Sequence, residues 1–405
     1  MLMTVVMNAG IGTDLDDVIR RAAQDDGRLL WALRRWRAGM PDELLRAALL
    51  PSHEFADSRS LGVDTHRIAH RQILPHLHFS LAAWLEDHLL AQELRDARMR
   101  NGLRNRKVRQ ERSDIMSTLQ RGGVDALIFK GADLAYSVYP DPCCRIIGDV
   151  DVLVEEMNYD RSIEILLASG WKVANGEGLP PRNYIKRGLH LSHPKFFVSV
   201  DVQDHANHHA IWPGTDRIYF EQAITSEDPD GVAIRTLRPE HGFVQVCCHG
   251  VAQNDYPPVR WATDAVWILR SAGRRFDWDV MLAAMHSNRS GPILSVTLAY
   301  LQQVLGLEIP PEVTREAGRA PMRSSFRTAW SYRLEPPCGV SERALGYMAH
   351  FREAVPERGL PRALGHLPAY MRNSQRTTST LEALGSLARK ALFRGAVPKS
   401  PTSGE

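Results

Sequence analysis

The sequence predicts an α+β fold, in which a small sheet with helices lies between helical N-terminal and C-terminal regions. Three observations lead to this prediction. Residues from about 13 to 120 carry apolar residues at helical spacing, as in ILPHLHFSLAAWLEDHLLAQELRDARMRN. The middle of the chain contains short apolar runs that are typical of strands. After Pro239 the helical pattern returns, in segments such as VRWATDAVWILRSAG.

This pattern divides the 405 residues into four expected parts. They are a helical N-terminal region over 1–120, an α/β core over 121–236, a C-terminal helical domain over 237–370, and a basic helix with a disordered tail over 371–405. Ser379 and Glu382 match a capping box at the start of that last helix. The final GAVPKSPTSGE is polar and rich in turn residues, so we expect it to be disordered.

Within the core, three runs are strand candidates: DALIF, DVDVLV and FFVSVDVQ. A helix, YDRSIEILLASG, is expected between the second and the third. Asn158 is placed to cap its N-terminus, and Gly170 lies just past its end. These elements define the part of the chain where polar residues interrupt buried strands.

The bulk composition excludes several classes of protein. At 44% hydrophobic and 24% charged residues, the chain is typical of a globular protein. A net charge of +3 is too small to predict nucleic-acid binding, and no apolar run is long enough for a membrane span. The N-terminus lacks a basic segment before its short apolar run, so no secretory signal is expected. Five cysteines, as two adjacent pairs and a single one, favour a reduced, cytoplasmic setting.

Two aspartates stand inside a run that otherwise reads as a buried strand. In DVDVLV, alternation places Asp149 and Asp151 on one face and the valines on the other. Two carboxylates so close would repel each other, and a bound divalent cation would remove the conflict. Mg²⁺ prefers oxygen ligands and often takes carboxylates together with substrate phosphates. The pattern therefore predicts a Mg²⁺ site at Asp149 and Asp151.

The third strand candidate offers another carboxylate. In FFVSVDVQ, Asp201 is the only carboxylate on the face opposite the valines. If this strand lies beside DVDVLV, Asp201 joins the first two aspartates. Three carboxylates can hold two metal ions roughly 4 Å apart, an arrangement suited to in-line phosphoryl chemistry.

The Lys-Gly turn after DALIF predicts a phosphate site. A strand, a glycine turn and a helix N-terminus present backbone N–H groups to an anion. Gly131 would allow close approach, Ala132 would contribute at the helix start, and Lys130 and Arg145 would add positive charge. The alternative for Arg145 is a pair with a nearby acidic residue. Asp264, within VRWATDAVWILR, is expected to be a buried, hydrogen-bonded aspartate that links helices, with orientation of an active-site group as the alternative.

The run KGADLAYSVYPDPCCRIIGDVDVLV resembles the uncharacterised nucleotidyltransferase family of bacteria, part of the polymerase-β-like nucleotidyltransferase superfamily. The resemblance implies a nucleotidyltransferase-type mixed sheet with Gly131 in the glycine motif. It implies that Asp149 and Asp151 bind metal and that Asp201 is the third carboxylate, the usual candidate for activating the attacking hydroxyl. Two departures stand out. Ala132 replaces the usual serine or glycine, and VDVQDHANHH makes Asp204 and His205 alternatives to Asp201.

The resemblance implies a reaction in which a nucleoside monophosphate moves from an NTP to an acceptor and pyrophosphate leaves, with two Mg²⁺ ions. The acceptor is open among a small molecule, a peptide, a protein and an RNA. One alternative is a non-catalytic protein that binds a nucleotide or a partner on a degraded core. The other is a metal-dependent hydrolase that uses a histidine cluster. Its members are His190, His193, His205, His208 and His209.

Overall fold

The structure is a computed structural model, and it describes the helices and strands of the central part of the chain together with two helices near the C-terminus. The described residues are 49, 73–82, 88–174, 188–207, 214–229, 231–250, 260–303, 305–320, 347–348, 351, 364–375, 377 and 379–393. Most of the helices predicted before residue 73, the predicted tail, His208 and His209 lie outside them. Within the described part, no helix has the length and apolar character needed to cross a membrane.

The chain divides into two compact units, and most of the described elements belong to the first. In chain order these elements are α1 (Leu74–Leu81), α2 (His88–Arg121), β1 (Ala126–Phe129), α3 (Gly131–Ser137), β2 (Val150–Val154), α4 (Tyr159–Ala168), β3 (Lys172–Val173), β4 (Gly188–Ser192), β5 (Val200–Gln203), α5 (Arg217–Glu221), β6 (Ile224–Glu227), β7 (Ala233–Thr236), α6 (Pro239–Cys248), α7 (Arg260–Ala272), α8 (Trp278–Ser287), α9 (Gly291–Gln303) and α10 (Pro311–Arg319).

The second unit contains α11 (Leu367–Gln375) and α12 (Thr380–Phe393). The N–H of Leu381 donates to Ser379 Oγ at 3.2 Å, which supports the predicted helix start. Tyr370 of α11 packs against Tyr347 and Phe351, with ring centroids 5.3 Å apart in each pair.

The seven described strands form one mixed sheet in the order β3-β4-β5-β2-β1-β7-β6. β2 pairs antiparallel with β1 and parallel with β5, and β1 pairs parallel with β7. The remaining pairs are antiparallel. The predicted α+β class with a mixed sheet is therefore confirmed. β2 and β5 are neighbours although α4, β3 and β4 lie between them in the chain.

The valines of β2 explain why this strand forms and which way it faces. Val150, Val152 and Val154 are fully buried in a core that also contains apolar residues of α2 and α4. Burying one such side chain contributes about 1.5–3 kcal/mol relative to leaving it exposed. A shift of one residue in register would move these valines out of the core, so the strand is fixed with its aspartates on the opposite face.

Helix α2 holds the segment that leads into β2. Asn105 Nδ2 donates to the carbonyls of Pro142 and Arg145, at 2.6 and 2.7 Å. Arg104 Nε donates to the carbonyl of Ile147 at 2.8 Å. These bonds satisfy backbone acceptors in and after a short 3-10 helix, Pro142–Cys144, and they fix the residues just before Asp149.

The core elements agree with the sequence patterns at most positions. α3 ends at Ser137, before Pro140, and Gly170 follows α4 with a φ of 96°, a left-handed conformation that glycine adopts at low cost. Asn158 occupies the N-cap of α4 but makes no side-chain cap bond there. The four-part domain division stays a prediction.

Candidate active site

Three carboxylates converge on one cavity of about 190 Å³. Asp151 and Asp201 are register partners on the parallel strands β2 and β5. Asp149 immediately precedes β2 and lines the same cavity. The structure thus brings together the three aspartates that the sequence pattern singled out. Because all three lie on or beside paired strands, the sheet itself fixes their spacing.

Two donors hold these carboxylates. Lys130 Nζ lies 2.8 Å from Asp151 Oδ1, and Gln203 Nε2 donates to Asp151 Oδ1 at 3.0 Å. The same Gln203 nitrogen donates to Asp201 Oδ2. Gln203 occupies the strand position two residues after Asp201, so alternation places its side chain on the same face. A single amide therefore joins the two register partners.

The carboxyl groups have perturbed acidities. The pKa of Asp151 is raised to about 7: burial is the largest cause, the carboxylates of Asp149 and Asp201 also raise it, and Lys130 opposes them. Burial also raises the pKa of Asp201, against the effect of Lys130. Paired carboxylates in a low-dielectric site need nearby positive charge to ionise together. Lys130 supplies one such charge.

The backbone at the Lys-Gly turn is unusual. Lys130 has φ 58° and ψ −140°, and α3 begins directly after it. A non-glycine residue in such a conformation costs on the order of 1–3 kcal/mol, and such residues cluster at functional sites. A Cβ on Gly131 would lie 3.2 Å from the terminal nitrogens of Arg145. Gly131 therefore gives the Arg145 guanidinium the room to pack against the main chain.

Arg145 is fully engaged by an aspartate of α7. Its Nε and one terminal nitrogen donate to the two oxygens of Asp264, at 2.7 and 2.8 Å. Tyr139 Oη donates to the same carboxylate at 2.7 Å. Burial works against the charge on Arg145, but Asp264 holds the pKa of this guanidinium above its ordinary value. The expectation that Asp264 is a buried, hydrogen-bonded link between elements describes this geometry.

Two further donors line the cavity from α6 and α7, and sequence reasoning missed both. They are Gln245 and Arg260. Burial lowers the pKa of Arg260, and the neighbouring charge of Arg145 lowers it further. One signal was available: Arg260 and Asp264 are four residues apart in a helix and therefore share a face. No pattern in the sequence connects Gln245 to the carboxylates.

The alternative residues Asp204 and His205 are not among the described residues that line this cavity. His205 Nδ1 lies 2.8 Å from Asp216 Oδ2, and both side chains are buried. Desolvation lowers the pKa of His205, but Asp216 raises it, and the net effect is upward. His205 thus has a carboxylate partner of its own, away from Asp149, Asp151 and Asp201.

The other described histidines of the cluster are apart from one another. His190 lies on β4 as the register partner of Asp201, with its side chain exposed. His193 packs between the rings of Trp171 and Phe196. As far as the described residues go, no three of the His, Cys, Asp and Glu side chains are arranged to hold a metal ion as they stand.

The donor set nevertheless fits a divalent cation in its chemistry. Asp149, Asp151 and Asp201 supply only carboxylate oxygens, the ligands that Mg²⁺ prefers. Their burial beside one another favours a positive charge among them, and Lys130, bonded to Asp151, supplies one such charge. A divalent cation bound here would have carboxylate ligands from β2, from β5 and from Asp149 next to β2.

Comparison with known families gives one match. The model of a family described as uncharacterised nucleotidyltransferase matches residues 65–306, which is more than half of the chain. The matched segment contains the whole sheet and every described residue that lines the cavity. Comparison with curated proteins finds no match.

Proposed function

The chain belongs to the uncharacterised nucleotidyltransferase family, and from this premise we propose that it transfers a nucleoside monophosphate from an NTP to an acceptor. The observation that carries the proposal is the register pairing of Asp151 with Asp201, beside Asp149, in one cavity. In this reaction the acceptor oxygen attacks the α-phosphorus. The bond from that phosphorus to the bridging oxygen breaks, and pyrophosphate leaves.

Each residue has a proposed role. Asp149, Asp151 and Asp201 would hold two Mg²⁺ ions, which supply positive charge for the attacking oxygen and the leaving phosphates. Asp201, whose pKa is raised by burial, accepts or directs the proton of the acceptor hydroxyl. Lys130, Gly131 and Ala132 form the proposed nucleotide-binding segment, of which Lys130 and Gly131 line the cavity.

Lys130 has a further consequence for this proposal. Its ammonium already bonds Asp151, so it keeps the acidic centre partly neutralised before substrate arrives. With a divalent ion held by the three aspartates, Lys130 would be free to bind a phosphate oxygen. The strained backbone at this residue positions the side chain beside Asp151.

We place this activity in the cytoplasm. The four described cysteines, two adjacent pairs, are all free thiols. Burial raises the pKa of Cys247 to about 12 and that of Cys144 above its ordinary value, so both stay protonated and unreactive. Free thiols of this kind are typical of a reducing compartment.

A labelling assay tests the proposal. The purified protein is incubated with Mg²⁺ and each NTP, labelled either on the α-phosphate or on the γ-phosphate, across candidate small-molecule, peptide, protein and RNA acceptors. Label from the α position should reach an acceptor, while label from the γ position should appear in pyrophosphate. Asp149→Asn and Asp151→Asn should abolish transfer. Asp114→Asn, at an exposed position of α2, is the matched control and should retain it.

One observation favours a second candidate, a protein that binds a nucleotide without turnover. The ion pair between Lys130 and Asp151 already satisfies a carboxylate that a metal would otherwise need to neutralise. Calorimetry with an NTP and Mg²⁺ separates the two functions. Binding without α-label transfer to any acceptor supports the second candidate, and binding with transfer supports the first.

A further inference from the structure

We propose that Arg260, assisted by Gln245, holds the terminal phosphates of the NTP, and that Arg145 instead fixes the wall of the cavity. This inference rests on the proposed function, because it assigns part of the NTP to one side of the same cavity. The sequence left two roles open for Arg145, a charge at the phosphate site or a pair with a nearby acid, and its bonds to Asp264 favour the second.

Arg145 has few donors left for a ligand. Both oxygens of Asp264 accept from it, and a terminal nitrogen donates to the carbonyl of Ile146. Its side chain is 8% exposed. A guanidinium held by both oxygens of a carboxylate is neutralised by it, so its role is to position neighbouring groups and not to attract an anion. A Cβ at Gly131 would meet this guanidinium at 3.2 Å, so Arg145 lies beside the start of α3 and forms the wall there.

Arg260 differs from Arg145 in its partners. Its guanidinium makes one hydrogen bond to the described residues, to the carbonyl of Ile146, and this bond is long at 3.5 Å; no carboxylate of those residues lies within salt-bridge distance. Within the same part of the chain, its buried Nε has no hydrogen-bond partner. Asp264 and Asp149 are near enough to favour its charged form, yet desolvation and the neighbouring charge of Arg145 outweigh them. A desolvated cation without an ion-pair partner is costly, so this position indicates that an anionic ligand completes it.

Gln245 gives a second, independent indication. Gln245 is 1% exposed, and its buried Nε2 has no hydrogen-bond partner in the part of the chain that the structure describes. It lines the same cavity as Arg260, from the neighbouring helix α6. Buried donors are nearly always paired, so an unpaired amide at a cavity wall needs an acceptor from a ligand.

The two sides of the cavity differ in their chemistry. On the strand side the cavity offers the carboxylates of Asp149, Asp151 and Asp201; on the helix side it offers a guanidinium and an amide. Carboxylates repel a triphosphate and can hold it only through metal ions that bind both. The terminal phosphate oxygens therefore need hydrogen-bond donors from elsewhere in the protein. The side of the cavity formed by α6 and α7 supplies such donors.

Calorimetry on the full-length protein tests the inference. The ligands are tripolyphosphate with Mg²⁺, which represents the phosphate tail, and a nucleoside monophosphate, which lacks the terminal phosphates. Arg260→Gln should weaken tripolyphosphate binding about 10- to 100-fold, and Gln245→Met should weaken it about 3- to 10-fold. Monophosphate binding should not change in either variant. Arg270→Gln, at an exposed position of the same helix, is the matched control and should bind as the wild type does.

Thermal unfolding separates the two arginines. Arg145→Gln should lower the Tm, because it leaves Asp264 buried without its partner, whereas Arg260→Gln should not. If Arg260→Gln fails to fold, Arg260→Lys, which keeps the charge but loses the planar fork, and Gln245→Met carry the test.

The outcomes are distinct. A wild-type protein that binds neither tripolyphosphate nor any NTP overturns the proposed function, and the inference with it. A wild-type protein that binds tripolyphosphate, with Arg260 and Gln245 variants that bind it equally well, overturns the inference alone. An Arg260 variant that loses monophosphate and tripolyphosphate binding to the same degree also overturns it, because the contact would then not be with the terminal phosphates.

Discussion

Asp151 on β2 and Asp201 on β5 are register partners on adjacent parallel strands, and one amide nitrogen of Gln203 donates to both carboxylates. Two of the three carboxylates of the acidic centre therefore lie on strands of the sheet, and the third, Asp149, immediately precedes β2. Strands hold a ligand set more precisely than loops do, which suits a centre that must present oxygens at a fixed spacing.

The Gln203 amide leads to the first prediction. Gln203→Leu removes the shared donor from a position that is 1% exposed and leaves two carboxylates beside an apolar side chain. We expect α-label transfer to fall about 10- to 100-fold, since the loss of hydrogen bonds to charged groups costs about 1.5–3 kcal/mol. The measurement is the labelling rate of the folded variant. Gln203→Leu with wild-type activity would show that the amide does not position the carboxylates.

Two glycines that line the cavity, Gly131 and Gly148, lead to the second prediction. Gly131→Ala places a Cβ 3.2 Å from the Arg145 guanidinium, so the arginine must shift by a few tenths of an ångström from its position against Asp264. We expect a loss of about 1–3 kcal/mol in the free energy of unfolding, which is typical of overpacking. Urea denaturation measures this loss.

Gly148→Ala is the matched control for Gly131→Ala. Gly148 lines the same cavity, but a Cβ there meets no atom within 4 Å. Its substitution should change the free energy of unfolding by less than about 0.5 kcal/mol. Equal effects of the two substitutions would contradict the packing of Arg145 against Gly131.

The third prediction concerns the buried ion pair. Asp264→Asn leaves Arg145 without its counter-charge, and breaking a buried pair in this way costs about 3–5 kcal/mol in the free energy of unfolding. The matched control is Glu221→Gln, which breaks an exposed pair with Arg217 and should cost less than about 1 kcal/mol. Urea unfolding curves compare the two. A cost for Asp264→Asn as small as that of the control would show that the pair contributes little.

The fourth prediction is a pH dependence away from the carboxylate centre. Burial raises the pKa of Asp133 from 3.8 to about 7, although a hydrogen bond with Ser137 and the charge of Arg112 lower it. The folded state thus holds this proton more tightly than the unfolded state does. Its contribution to stability is present at low pH and is lost as the pH rises from about 4 to about 7.

Asp133→Asn removes this titration. The variant should gain about 2–4 kcal/mol in the free energy of unfolding at pH 8 and almost nothing at pH 4. Unfolding measured at both pH values checks this, with Asp114→Asn at an exposed position as the control. A gain of the same size at both pH values would mean that Asp133 is ionised in the folded protein throughout.

The sequence patterns predicted the acidic centre because its residues follow from the alternation of neighbouring residues along a strand. Alternation within DVDVLV and VDVQ is enough to separate buried valines from aspartates on the other face. The third strand is shorter than predicted for a physical reason. The N–H groups of Phe197 and Val198 donate to the carboxylate of Glu111 on α2 and not to a strand. The strand therefore begins at Val200, and nothing in the local pattern reveals that competitor.

Such patterns could not predict contacts between side chains that are far apart in the chain. Arg145 and Asp264 are 119 residues apart, and only the packing of α7 beside the sheet brings them together. That pairing decides which arginine has donors left for a ligand. The role of Arg145 could therefore not be read from its position before DVDVLV, and Arg260 stood in a segment that read only as an amphipathic helix.

The most direct test of the shared metal site is a crystal structure of the protein with Mn²⁺ and a non-hydrolysable NTP, with the metal located by its anomalous scattering. We predict metal density between the carboxylates of Asp149, Asp151 and Asp201, with the α-phosphate coordinated to the same ions. Nucleotide and metal bound elsewhere, with Lys130 still bonded to Asp151, would contradict the proposed metal site.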